Sequence, residues 1–183
     1  MSRINKNKPD LAEELATSLR NDRSQTNRKR WAQRIAGEKI SITSLAHLVT
    51  IEKTTAMHFA WLLGEICTVA PSLLYDALPV LYGSRHLVHF KTFDRSLAKM
   101  FYYAGIPPQL EGEIVDRLFK WLLDPRITVS TKHYCVLTLE QCVLKHPELK
   151  PELIASLLDQ QNKNTVSFTK LAGKMLLKLG RIR

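Results

Sequence analysis

Apolar residues recur at three- and four-residue spacing through nearly the whole chain, and proline or glycine stands at most of the breaks. That period belongs to helices that bury a stripe, and it leaves little room for a sheet, whose strands alternate every second residue. One stretch, His86-Leu87-Val88-His89-Phe90, has an extended look, but no second segment pairs with it and it reads as a loop. The pattern predicts ten helices, over about 9–20, 24–36, 41–50, 54–69, 71–82, 92–104, 108–123, 129–145, 149–160 and 164–179. Pro9, Pro71, Pro108 and Pro151 fall in first turns, where the missing N–H costs little. Pro79 falls inside the fifth segment and should bend or restart it. Gly37, Gly83, Gly105 and Gly180 sit just past predicted helices, as left-handed caps do.

The chain also repeats itself. Thr55–Leu81 laid over Thr131–Leu157, an offset of 76, matches Phe59 with Cys135, Leu63 with Leu139, Ile66 with Cys142 and Pro71 with Pro147. Near half that offset stands Leu97-Ala98-Lys99-Met100-Phe101, followed by Pro108. The unit is a long helix, a proline-marked break and a second helix, as stacked antiparallel helix pairs require. A helix stacked between two neighbours must be apolar on more than one side, which accounts for the breadth of the apolar surface over 54–69.

On these residues the chain resembles the HEAT-repeat family. The carriers are Ala60-Trp61-Leu62-Leu63-Gly64-Glu65-Ile66, Asp76-Ala77-Leu78-Pro79-Val80-Leu81, and Val129 to Cys142 ahead of Pro147. The likeness spans about 24–180; of the family's helix-start and Val-Arg signals only Asp124-Pro125 is visible. It implies an all-α right-handed α-α superhelix of about four to five antiparallel helix pairs. The expected organisation is a flexible basic tail over 1–8 and a single helical-repeat domain over 9–183.

Charge narrows the functional classes. The 27 Lys and Arg outnumber the 17 Asp and Glu, for a net +10, but the excess sits at the ends. Residues 1–34 hold nine basic side chains against four acids, 163–183 hold six against none, and 35–162 are nearly balanced at twelve against thirteen. No apolar run reaches the roughly 20 residues of a membrane helix, and no apolar stretch follows the first charged residues as a secretory leader would. Cys67, Cys135 and Cys142 read as buried structural thiols of a reducing compartment, which places the expected location in the cytoplasm.

No catalytic constellation stands out. His86 and His89 are three residues apart without a third ligand at metal spacing, and no Ser–His–Asp or Cys–His pairing or phosphate-binding glycine loop is present. No cofactor or metal is therefore expected. Two sets of charges remain as candidates. In the family the second helix of each unit lines the concave surface; here that would place Asp76, Glu111, Glu113, Asp116 and Glu152 in a groove suited to a protein segment. Glu111, Glu113 and Asp116, within two turns of the seventh predicted helix, read first as a solvated face, with binding of a basic partner or an acid–base role as the functional alternatives. The basic set is Arg28, Lys29, Arg30 and Arg34 on the second helix and the stripe Lys170, Lys174, Lys178 on the last, either polar capping of a solenoid end or an anion-binding surface. The expected function is a non-catalytic protein–protein interaction scaffold or adaptor with a protein partner. The alternatives are a nucleic-acid binder through the basic ends, akin to the HEAT-like alkylpurine DNA glycosylases, and a self-associating oligomer.

Overall fold

The computed structural model describes residues 10–88 and 90–181. Among them are eleven α-helices and four short 3-10 turns, and no strand. The tail expected over 1–8 lies outside the described residues, as does His89 of the His86/His89 pair. The chain divides into two compact units, Met1–Phe93 and Asp94–Arg183.

The first unit holds α1 (Leu11–Asn21), α2 (Gln25–Glu38), α3 (Ile42–Leu45) continued by a 3-10 turn over Ala46–Val49, α4 (Lys53–Val69), α5 (Ser72–Tyr75) and α6 (Leu78–Gly83). Helices α1, α2 and α4 pack on one another around Leu15, Leu19, Ile35, Phe59, Leu62 and Ile66, all fully buried. The predicted fifth helix is broken between α5 and α6, with Pro79 in the first turn of the restarted piece, because proline is tolerated only where its missing donor has no carbonyl to meet.

The glycine punctuation is corrected in three of four places. Helix α2 runs through Gly37, and the left-handed residue is Lys39 (φ 51°). Its position closes a cap in which the Ile40 N–H reaches the Ile35 carbonyl at 3.0 Å, and that bond holds a side chain where glycine would be cheaper. Gly83 ends α6 with φ −59° and Gly180 lies inside the last helix. Gly105, at φ 88°, is the stop that behaves as expected.

The second unit, from Asp94 on, holds all but the first two residues of α7 (Thr92–Ala104), with α8 (Glu111–Leu123), α9 (Val129–Lys145), α10 (Lys150–Gln160) and α11 (Val166–Arg181). Helix α8 packs on α9 and α10, and α11 packs on α9 and α10. Shifting α4 by 76 residues lands it on α9 from first residue to last, 17 residues in each. The ends agree as well. Glu52 caps α4 by accepting from the Thr55 N–H, and Thr128 caps α9 by accepting from the Thr131 N–H. At the other end the Ala70 and His146 N–H groups reach Ile66 and Cys142 at 2.9 and 2.8 Å, each one residue before a proline. In both helices the capping oxygen lies before the first turn, and threonine is the third helical residue, whose N–H donates to it.

Leu139 is fully buried on α9. Leu139→Ala is expected to cost about 2 to 5 kcal/mol in chemical denaturation, and Lys174→Ala, on the exposed face of α11, to stay within about 0.5 kcal/mol of the parent.

Candidate functional site

The basic cluster of α2 turns out to be a clasp. The Arg34 guanidinium donates to both Glu14 oxygens at 2.6 and 3.3 Å and to Glu38 at 3.0 Å, and it lies 4.8 Å from the Trp31 ring. Those carboxylates hold its pKa above the ordinary value. Arg28 donates to the Arg23 carbonyl at 2.6 Å, approaches His58 Nδ1 at 3.4 Å and sits 5.2 Å from the Trp61 ring. Arg30 donates to Asn27 Oδ1 at 2.8 Å, and Lys29 is exposed. Arg34 thus ties α2 to α1 and Arg28 ties it to α4, and an anion would have to displace bonds already made. An open cavity of about 300 Å³ beside them carries Glu14 with Arg30 and Arg34 on its walls, so its charges are mixed.

His58 is buried on α4 with its ring edge-on to Trp61 at 4.8 Å. Burial, then the nearby Arg28 and Arg23, lower its pKa from 6.5. The unfolded chain therefore binds a proton that the native state refuses as pH drops below about 6.5, so stability falls on acidification through that point. Thermal melts are expected to show a loss between pH 7.5 and 5.5 that His58→Gln flattens.

On α11, Lys170, Lys174 and Lys178 are all exposed along one stripe, but Lys178 is taken. Its ammonium lies 2.5 Å from an oxygen of Glu140, a residue only 7% exposed on α9. Lys178 is thus the counter-ion of a buried acid, a partner that helical spacing within α11 could not reveal.

The acids are divided between the units. Asp76 is exposed after α5 in the first. In the second, Glu111, Glu113 and Asp116 are on α8 and Glu152 on α10, two helices that touch. Much of this charge is met locally: Asp116 pairs with Lys120 at 2.8 Å, and Asp159 with Lys163 at 2.5 Å. Glu111 is contacted by Lys145 at 3.4 Å and His146 at 3.3 Å. Burial pushes the Glu111 carboxyl up, but the bonds from His146 and Lys145 outweigh it and leave it below its usual value.

Glu111 also stands at a cavity of about 240 Å³ between α7 and α9. Phe101 and Ile106 give it apolar walls, Thr138, Gln141 and Cys142 come from α9, and Gly105 bounds it. Burial pushes the Cys142 thiol up to about 11, so this sulfur is a wall and not a nucleophile. Further along the same seam three tyrosines meet. Tyr102 and Tyr103 stand edge to face at 5.0 Å, and Tyr134 lies 6.2 and 6.4 Å from them. Tandem Tyr102-Tyr103 was the one sequence signal for this patch; Tyr134 joins it only through the packing of α9.

A second feature the sequence hid is Lys132, 2% exposed on α9. Its ammonium donates to Gln160 Oε1 at 2.7 Å at the end of α10, which also receives the Asn164 side-chain amide at 3.1 Å. Burial lowers the Lys132 pKa. Among the described residues no three His, Cys, Asp or Glu side chains gather as a metal site, and no helix is long and apolar enough to cross a membrane. Gln160→Leu strips the buried ammonium of its acceptor and is expected to cost about 1 to 3 kcal/mol. Adding Lys132→Met should recover most of that loss in equilibrium unfolding, because the buried charge is then gone.

Compared with protein-family models, with curated proteins and with solved structures, the chain matches none of them.

Proposed function

We propose that this chain is a non-catalytic scaffold or adaptor of the helical-repeat, HEAT-like type, which binds a protein partner on the curved face of stacked helix pairs. The carrying observation is the packing of Asp94–Arg183, in which alternate helices touch: α8 with α10 and α9 with α11. Repeating pairs stacked in two rows make those contacts. The identical bounds of α4 and α9 at the 76-residue offset support the same reading. In this arrangement α8 and α10 form one row, carrying Glu113, Asp116 and Glu152, and α7, α9 and α11 form the other.

A nucleic-acid binder is the second reading, favoured by the exposure of Lys29, Lys170 and Lys174. Phosphate contacts release counter-ions, so affinity for DNA falls steeply with salt. Affinity capture from nuclease-treated extract of the source cells, run beside a duplex-DNA shift assay over a salt series, separates the two. The expected result is a protein retained after nuclease and no DNA shift at low salt. A shift that collapses as salt rises, with no protein retained, would replace the scaffold by the nucleic-acid reading. A native mass at a multiple of 21.0 kDa with no other protein bound would make the partner a second copy.

A further inference from the structure

Helix α11 is patterned on both sides. Phe168, Ala172, Met175 and Leu179 are buried, on a helix that packs on α9 and α10. Val166, Lys170, Lys174 and Leu177 are all exposed, and their spacing of three or four residues sets them in one stripe. The stripe runs about 16 Å, three turns of helix. Val166 keeps 72% of its surface in solvent and Leu177 70%, the highest values among the exposed large apolar residues described. The lysines between them have no answering acid. Helix α11 contains no Asp or Glu. On the helices it packs against, Glu140 is taken by Lys178 and Asp159 by Lys163. The other acid there, Glu152, lies in the first turn of α10. Among the described residues the ammonium groups of Lys170 and Lys174 make no ion pair or hydrogen bond.

The stripe therefore asks for two things from one occupant, carboxylates for the lysines and apolar surface for Val166 and Leu177. A phosphate backbone would meet the lysines and leave the apolar pair wet, so the stripe favours carboxylates over nucleic acid. An anionic bilayer would take up a broad apolar face, and that face of α11 is already spent inside the unit. The same stripe of a second copy would set lysine against lysine. A helix laid along α11 answers both needs, since residues three and four apart on it also share a side. We infer that the exposed stripe of α11 is a docking face for an acidic amphipathic helix of a partner protein, whose carboxylates pair with Lys170 and Lys174 and whose apolar side chains cover Val166 and Leu177. The inference rests on the scaffold reading and adds to it one face and the chemistry of the partner.

The test is selection of a displayed library of randomised helical peptides on the full chain, followed by affinity measurement of the enriched peptides over a salt series. The expected peptides carry Asp or Glu at three- and four-residue spacing beside Leu, Ile or Phe. Lys170→Glu with Lys174→Glu, at exposed positions that should leave the fold intact by circular dichroism, should weaken them at least about tenfold and flatten the salt dependence. Leu177→Ser should weaken them about fivefold with the salt dependence kept. A peptide whose acids are changed to lysine should bind the doubly reversed variant better than the parent. Basic or uncharged winners, no enrichment, or affinities that neither variant lowers would each overturn the proposal. So would duplex DNA or phosphatidylglycerol vesicles that bind the parent and are released by the charge reversal, or a native mass at a multiple of 21.0 kDa that the reversal breaks. If a captured protein partner is kept by both variants, the scaffold reading stands and this face falls.

Discussion

The second unit depends on one helix being enclosed on several sides. Helix α9 lies against α8, α10 and α11, and its buried residues, among them Thr131, Lys132, Cys135, Val136, Leu139, Glu140 and Val143, wrap well beyond a single stripe. A helix so enclosed gains apolar burial on each side, but it also traps whatever polar residues fall there. Lys132 and Glu140 are the trapped ones, and each is answered by the helix it faces, through Gln160 and Lys178. Buried charges left without such answers would be far more costly than the pairs are stabilising.

The same accounting reshapes the surface. Net charge suggests a protein covered in free cations, yet Arg34 is spent on Glu14 and Glu38, Arg28 on the α4 aromatic pair, and Lys178 on Glu140. The acids of α8 and α10 are tempered in turn by Lys120, Lys163, Lys145 and His146. The net charge therefore overstates the cations that stand apart from an acid, and the tyrosine and cavity seam of α7 and α9 brings aromatic and apolar residues together.

The repeat was legible because it is written in local terms. Proline after Ala70 and His146, threonine at the third position of each long helix, and apolar residues in the same register are all decided within a few residues. The candidate site was much less so. Tyr134 meets Tyr102, and Thr138 meets the cavity, only when two helices about thirty residues apart lie side by side. Glycine as a helix stop was the local rule that failed most often, since Lys39 takes the left-handed position once a cap bond defines it.

Sequence alone determined the all-helical class, the helix bounds to within a few residues, the proline breaks and the shared register of α4 and α9, because hydrophobic period and capping chemistry act over a turn or two. Tertiary packing alone decided which charges are free. An ion pair such as Lys178 with Glu140, or a clasp such as Arg34 with Glu14, joins residues 38 and 20 positions apart, and no property of either neighbourhood announces the other.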